Sequence, residues 1–365
     1  MRITAWSVEP SAFDNLDPDW RYGTTHVPRL EGVFVALRAE DGTVGEGYSP
    51  VLGHLGLDRD GLAAACGRIA SLCLGGDASA YRVTATQAAR QSGLSGPALA
   101  AVDMALVDLA ARIHGLSVSV LLGGRFRDRV PVVRIVPIKA PEAMADAARA
   151  LVDDGYRAVK LKATGTLDED VARVSAVRAA VGAAVEIYVD PNQAYALDGA
   201  IRFCEAAAEL GVARVEQPVP ATDRDMMARL VAAVRLPVVE ADEKLFELPD
   251  LVDVLERRAA HGICLKFARS GGILPTLAMA ELAHAHGVAV RMGTAFGGPL
   301  ISLAGAQVAA ALANADGFAE VAEFAHFSDA THAPPRIEGG CLVLDDTPGF
   351  GQVRQAPWQA DWLSA

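Results

Sequence analysis

The stretch YRAVKLKAT, residues 156–164, combines an apolar run with two lysines at alternate positions. Its apolar residues predict a buried strand of a parallel sheet. Because side chains two positions apart on a strand share a face, Lys160 and Lys162 are expected to project together near the end of that strand. Two adjacent ammonium groups need an explanation in a chain with only 21% charged residues.

Similar apolar runs recur along the chain. Between residues 129 and 330 they alternate with segments of helical pattern. The eight runs are VPVVRIVPI, AVKLK, VEIYVD, ARVEQP, PVVEADE, GICLK, VAVRMG and GFAEVAEF. Alternation of strand and helix indicates parallel βαβ units, and eight units match a TIM-type barrel. Residues 129–330 are therefore predicted to form a modified (β/α)8 barrel of the α/β class.

The flanking regions have a different pattern. Residues 1–128 mix strand-like and helical segments, which predicts an α+β capping domain. Residues 331–365 return to strand and turn composition, as in IEGGCLVLDDTPGFGQV, and are expected to pack back toward the capping domain.

A series of charged residues ends successive apolar runs of the predicted barrel. These residues are Lys162, Asp190, Glu216, Asp242 and Lys266, and subtraction of their numbers gives intervals of 28, 26, 26 and 24 residues. Each interval corresponds to about one strand–helix unit. A barrel would gather all five at the carboxyl ends of its strands, where barrel enzymes hold their catalytic groups.

This arrangement predicts a metal site. Asp190, Glu216 and Asp242 would follow three neighbouring strands, and carboxylates so close together repel one another unless a cation neutralises them. Oxygen ligands suit a hard ion, namely Mg²⁺, with Mn²⁺ as the alternative. Strands two and six lie opposite each other in an eight-strand ring, so Lys162 and Lys266 would flank whatever the metal holds.

These groups suggest abstraction of a proton next to a carboxylate. A small carboxylate held by the metal has an acidified α-C–H bond, and loss of that proton gives an enediolate. A lysine is an effective base only when its pKa is lowered, and burial, the metal and Lys160 are expected to lower that of Lys162. Lys160 is also expected to contact the carboxylate of the substrate.

The motifs VKLK, VDPNQAY, VEQP, EADEKLF and LKFARSGGI resemble those of the enolase superfamily. The likeness is to its mandelate racemase/muconate lactonizing enzyme group, muconate lactonizing enzyme subgroup, which carries a K-x-K motif. The resemblance implies that Asp190, Glu216 and Asp242 bind Mg²⁺ and that Lys162 and Lys266 form the acid/base pair. It also implies that capping loops near residues 20–26 and 51–55 close over the substrate, and that the protein forms a dimer or an octamer.

Further residues are candidates for contacts with the metal ligands or the substrate. For three of them a structural role is the alternative: Glu243 as a helix cap, Phe296 as a hydrophobic plug, and Glu323, at the end of the eighth strand, in an ion pair. The candidates are Asn192, Glu243, Thr294, Phe296 and Glu323.

Facing lysines favour racemisation or epimerisation of an amino-acid-like or N-substituted amino-acid substrate. The first alternative is cycloisomerisation or β-elimination, as by a dehydratase, in which one lysine works and the other supplies charge. The second is a barrel that binds a carboxylate without catalysis. The eighth run, EVAEFAHF, lacks the Asp-x-Asp typical of dipeptide epimerases, so the substrate stays open.

Composition excludes several other classes. The net charge is −12 without a block of Lys or Arg, which argues against binding to nucleic acid. No apolar run reaches the length of a membrane span. Five scattered cysteines without a C-x-x-C spacing predict a reducing, cytoplasmic environment.

Overall fold

The computed structural model describes residues 1–56, 58–352 and 354–364, except for the side chain of His54. The N-terminal part contains a meander of strands followed by helices. The strands are β1 (Ile3–Asp14), β2 (Arg21–Tyr22), β3 (Thr25–His26), β4 (Arg29–Ala39) and β5 (Val44–Pro50). The helices are α1 (Arg59–Ser71), α2 (Tyr81–Ser92), α3 (Pro97–Ile113) and α4 (Val118–Leu121), with a 3₁₀ turn at Gly53–Leu55.

Helix α3 packs closely on the antiparallel sheet of β1, β4 and β5. Two glycines of β5 make this approach possible: a Cβ at Gly45 would collide with the backbone at Leu109, and a Cβ at Gly47 with that at Ala101. Fourteen of the seventeen residues of α3 are buried, because the helix lies between this sheet and the rest of the protein. The capping region is thereby fixed as an α+β unit.

Within the described residues, a seven-stranded parallel sheet carries its strands in sequence order. After the short β6 (Arg129–Pro131), the strands are β7 (Arg134–Val136), β8 (Ala158–Lys162), β9 (Glu186–Asp190), β10 (Arg214–Glu216), β11 (Val238–Ala241), β12 (Gly262–Lys266) and β13 (Ala289–Gly293). The helices are α5 (Pro141–Asp153), α6 (Leu167–Val181), α7 (Leu197–Glu209), α8 (Arg224–Ala233), α9 (Leu248–Arg257), α10 (Phe267–Ser270), α11 (Ile273–Ala285) and α12 (Pro299–Ala311).

The ring is closed by a segment without regular strand structure. Residues 315–320 make parallel bridges to β13 at Val290 and Gly293, and a parallel bridge to Val132 just before β7. The predicted eighth run therefore takes its place in the barrel through isolated bridges, and the first predicted run divides into β6 and β7. The predicted fold class is confirmed, with a barrel that is modified at its closing strand.

The C-terminal residues pack on both parts of the chain. Strand β14 (Ile337–Glu338) pairs with β15 (Cys341–Val343), which pairs in turn with β6, and β16 (Leu363–Ser364) adds to β1. The domain boundaries at residues 128 and 330 stay a prediction. Among the described residues, no helix combines the length and the apolar character that crossing a membrane requires.

Candidate active site

The carboxyl ends of β8 to β12 meet at one mouth of the barrel. Lys162, Asp190, Glu216 and Lys266 are the last residues of β8, β9, β10 and β12, and Asp242 follows β11 directly. All five side chains are buried, with exposed fractions from 0% for Asp190 to 9% for Lys266. The structure thus brings together every charged strand end that the sequence pattern singles out.

The two lysines approach the row of carboxylates from opposite ends. The Lys162 Nζ lies 2.6 Å from Asp190 Oδ2, at the β9 end of the row. The Lys266 Nζ lies 2.8 Å from Asp242 Oδ2 and 3.2 Å from Glu216 Oε1, at the β11 end. The acidic row therefore separates the two amines.

Lys160 lies below this row and is fully buried. Its Nζ is 2.6 Å from Glu216 Oε2, 2.6 Å from Glu320 Oε2 and 3.0 Å from Asp190 Oδ2. Burial disfavours the ammonium form, but the three carboxylates outweigh it, so the pKa of Lys160 is raised well above its ordinary value. The ammonium group of Lys160 is directed into this buried cluster, and its expected contact with a substrate carboxylate stays a prediction.

The surrounding cations keep the carboxylates of the acidic row ionised. Burial raises the pKa of Glu216, but Lys160, Lys266 and Arg291 outweigh it and hold that pKa well below its usual range. The pKa of Asp190 is also lowered, because Lys160 and Lys162 outweigh burial and the neighbouring Glu216. Both groups are therefore available as charged oxygen ligands at neutral pH.

The residues present fit a hard divalent cation. Asp190 and Glu216 share one ammonium group, that of Lys160, and Glu216 and Asp242 share another, that of Lys266. Their oxygens thus converge on shared positive charge, and an all-oxygen set of this kind matches the preference of Mg²⁺.

A cavity of about 270 Å³ opens beside the acidic row. Lys162, Lys266 and Asp242 line it from the barrel, and Tyr22 and Leu52 line it from the capping region. A larger cavity of about 560 Å³ lies between the start of α3 and α11 and is mostly apolar. We assign the chemistry to the smaller one, because it contains both lysines and a carboxylate of the row.

Aromatic side chains cover this cavity. The ring of Phe296, which lines it, lies 5.4 Å from that of Trp20 and 5.9 Å from that of Tyr22, measured between centroids. The Lys162 Nζ lies 5.3 Å from the centroid of the Tyr22 ring, as in a cation–π contact. The hairpin of β2 and β3 thus reaches the mouth, as expected for the loop near residues 20–26.

Two of the further candidates, Asn192 and Glu243, extend the hydrogen-bond network of Lys162. The Asn192 side chain accepts a hydrogen bond from Lys162 Nζ (3.2 Å) and donates one to Glu243 Oε1 (3.1 Å). Both residues line the cavity. Burial, together with Asp242 and Asp190, raises the pKa of Glu243 to about 8. Thr294 is buried, and its hydroxyl donates to the Glu320 carbonyl at 3.2 Å, which anchors the closing segment.

The position expected for Glu323 is incorrect. Glu320, not Glu323, bridges to β13 at the end of the closing segment and lines the cavity. Glu323 begins the 3₁₀ helix Glu323–His326, where burial and then Glu320 raise its pKa to about 8. The carboxylate that lines the cavity, at position 320, therefore lies three residues before the one expected at 323.

Sequence reasoning missed two arginines that contact carboxylates of the acidic row. Arg291 of β13 is fully buried and contacts Glu216 and Glu240, and Arg269 contacts Asp242. Arg291 had a detectable signal, since it is a charged residue inside the apolar run VAVRMG, as Lys160 is inside AVKLK.

The backbone after the strands is unusual at the same mouth. Residues other than glycine have positive φ after four of the barrel strands, β9, β10, β11 and β13. They are Asn192 (47°), Gln193 (69°), Gln217 (39°), Lys244 (61°) and Ala295 (76°). Such conformations concentrate at functional sites, where the surrounding structure over-determines them.

Two family models match the sequence. The model described as enolase C-terminal domain-like matches residues 143–355. The model described as mandelate racemase/muconate lactonizing enzyme, N-terminal domain, matches residues 17–123.

Individual proteins give the same picture. The chain is 31% identical to the L-Lys-D/L-Arg epimerase of Methylococcus capsulatus, over 97% of this chain and 99% of that protein. The structure of a dipeptide epimerase from Methylococcus capsulatus, complexed with Mg and the dipeptide L-Arg-D-Lys, superposes with a TM-score of 0.91 at 26% identity, covering 97% of this chain and all of that chain (100%). Muconate lactonizing enzyme from Pseudomonas fluorescens, complexed with muconolactone, gives a TM-score of 0.91 at 28% identity, covering 97% of each chain.

Proposed function

Because the chain belongs to the mandelate racemase/muconate lactonizing enzyme family of the enolase superfamily, we propose that it is a Mg²⁺-dependent racemase or epimerase. Its substrate would be a small carboxylate with an amino or acylamino group on the α-carbon. The observation that carries this proposal is the placement of Lys162 and Lys266, which line one cavity from opposite ends of the acidic row.

Each residue then has a defined task. Asp190, Glu216 and Asp242 would hold Mg²⁺, which would supply positive charge that acidifies the α-C–H bond and stabilises the enediolate. Lys162 accepts the α-proton on one face, and Lys266 delivers a proton to the other face, which inverts the α-carbon. For the opposite enantiomer the two lysines exchange roles.

The remaining side chains position the reacting groups and do not transfer protons. Lys160 balances the charge of Asp190, Glu216 and Glu320 from below, and so holds these three carboxylates in position. Phe296 and Tyr22 cover the cavity and exclude water, which strengthens the electrostatic interactions inside it.

One comparison supports the substrate class. The Methylococcus capsulatus structure contains a dipeptide, which is an amino acid with an acylated amine, and it contains Mg. A cavity of about 270 Å³ fits a small ligand of this kind. The likeness to the muconate lactonizing enzyme favours cycloisomerisation as the second candidate, in which one lysine acts as the acid or base.

The test is incubation with Mg²⁺ in D₂O, using both enantiomers of N-acyl amino acids and a set of dipeptides, followed by proton NMR. We expect deuterium at the α-carbon of recovered substrate and of its inverted product. Lys162→Met and Lys266→Met should each lower racemisation by about 10² to 10⁴-fold. Each variant should retain exchange for the one enantiomer that faces its remaining lysine.

Lys244→Asn is the matched control, because it removes an exposed ammonium group at a positive-φ position that asparagine tolerates. It should racemise at the normal rate. Exchange that persists for both enantiomers in Lys266→Met would contradict the two-base assignment, and turnover of a muconate without α-exchange would favour the second candidate. The cytoplasmic location and the oligomeric state stay predictions.

A further inference from the structure

A cysteine lies directly beside the acidic row. Cys264 belongs to β12, two residues before Lys266, so both side chains project from the same face of that strand. It is fully buried, with 0% of its surface exposed. The Cys264 thiol therefore faces the barrel interior at the level just below the mouth.

Its sulfur completes a compact set of ligand atoms. One carboxylate oxygen of Glu216, one of Asp242 and the Cys264 Sγ all lie within 4.8 Å of one another. Among the described residues, no other group of three carboxylate, thiol or imidazole side chains meets this spacing. Asp190 does not belong to the set, because its contacts are with Lys160 and Lys162 at the other end of the row.

The Cys264 sulfur also differs from two other buried sulfurs of this chain, those of Cys66 and Cys73. The thiols of Cys66 and Cys73 donate to backbone carbonyls at Ala98 and Ile69. Within the described part of the chain, the Cys264 thiol makes no such hydrogen bond. A Cβ on Gly293 would lie 3.2 Å from this sulfur, so the sulfur packs close to the backbone of the neighbouring strand β13.

We propose that Glu216, Asp242 and Cys264 form a second, overlapping binding site for a thiophilic divalent cation such as Zn²⁺ or Cd²⁺. A set of two oxygens and one sulfur matches the preference of softer ions, whereas Mg²⁺ prefers oxygen ligands only. The thiol loses its proton to solvent as the metal–sulfur bond forms.

The overlap makes the two ions mutually exclusive. Both sites use Glu216 and Asp242, but the sulfur draws a soft ion toward β12 and away from Asp190. A soft ion in this position inhibits the reaction, because it occupies carboxylates that Mg²⁺ needs. This role of the carboxylates rests on the proposed function. Inhibition by Zn²⁺ would therefore be competitive with Mg²⁺.

The test is titration of the chelator-treated full-length protein with Cd²⁺, followed by the ultraviolet charge-transfer band of a cadmium–thiolate bond. In the unaltered protein we expect the absorbance of this band to saturate at one Cd²⁺ per chain. Excess Mg²⁺ should then displace the Cd²⁺ and remove the band. Cys264→Ser should abolish the band and weaken Cd²⁺ binding at least about tenfold, while Mg²⁺ binding stays within about twofold.

Cys204→Ser is the matched control, because Cys204 is equally buried but lies in α7, and it should keep the band. Cys264→Ala provides a second variant if serine disturbs folding, which thermal melting reports. A band that survives both Cys264 substitutions, or one that Mg²⁺ cannot displace, would overturn the inference. A normal band without α-proton exchange would refute the proposed function instead and leave the soft-metal site standing.

Discussion

Two regions of this protein bury acidic side chains in different ways. In the capping region, Asp103 and Asp108 of α3 accept hydrogen bonds from backbone N–H groups: Asp103 from Ile273 at 2.6 Å, and Asp108 from Glu46 and Phe350, each at 2.9 Å. Asp108 has one cationic partner as well, Arg112. At the barrel mouth, the partners of the carboxylates are mainly ammonium and guanidinium groups at the ends of long side chains.

The pKa values follow this difference. Burial outweighs the backbone hydrogen bonds of Asp103 and raises its pKa to about 7. Burial is outweighed at Glu216, where Lys160, Lys266 and Arg291 hold the pKa well below its usual range. Backbone donors are fixed by the fold, whereas ammonium groups can move away when a cation arrives. The first arrangement therefore suits a fixed contact between segments of the fold. The second suits carboxylates that exchange their ammonium partners for a bound cation.

Glu216→Gln should have the largest effect. The substitution removes the central ligand and leaves Lys160, Lys266 and Arg291 facing a neutral amide. We expect Mg²⁺ affinity to fall at least about a hundredfold and α-proton exchange to be lost. Isothermal titration with Mg²⁺ measures the first effect, with Glu205→Gln on the exposed face of α7 as control. Unchanged Mg²⁺ binding in Glu216→Gln would remove Glu216 from the ligand set.

Asp108→Asn should act on stability instead. The Asp108 Oδ2 lies 2.7 Å from Arg112 Nε, and loss of its charge leaves a largely buried guanidinium without a counter-ion. We expect the free energy of unfolding to fall by about 3 kcal/mol. Urea denaturation measures this change, and the exposed Asp154→Asn is the control. Mg²⁺ affinity of the folded variant should be normal; a weakened affinity would mean that the two regions are not independent.

Asp103 should make stability depend on pH. Because its folded pKa of about 7 exceeds the ordinary value of 3.8, the folded protein retains a proton that the unfolded chain releases. The free energy of unfolding should therefore fall by about 2 kcal/mol between pH 5 and pH 7 through this group. Asp103→Asn keeps an acceptor for the α11 amides but should lack this part of the slope, as denaturation at both pH values would reveal. Identical slopes in the two proteins would refute the assignment.

The sequence was sufficient for the barrel and for the order of its charged strand ends. Strand–helix alternation predicted the fold class, and the spacing from Lys162 to Lys266 predicted which residues meet at the mouth. It was insufficient for the eighth strand, where regular periodicity favoured Glu323. The observed segment is held by isolated bridges, and it presents Glu320 to the cavity instead.

The sequence by itself determined which charged residues lie at the strand ends and which of them share a face. Both follow from local pattern, because side chains alternate between the two faces of a strand with a period of two. Only the tertiary structure decided their partners. Lys160 and Glu320 are 160 residues apart, yet their side chains lie 2.6 Å apart, and this pairing exists only because the ring closes. Closure also turns Lys160 toward three buried carboxylates, brings Arg291 onto Glu216 and sets Tyr22 over Lys162. Such contacts depend on the packing of distant segments, which no local pattern encodes.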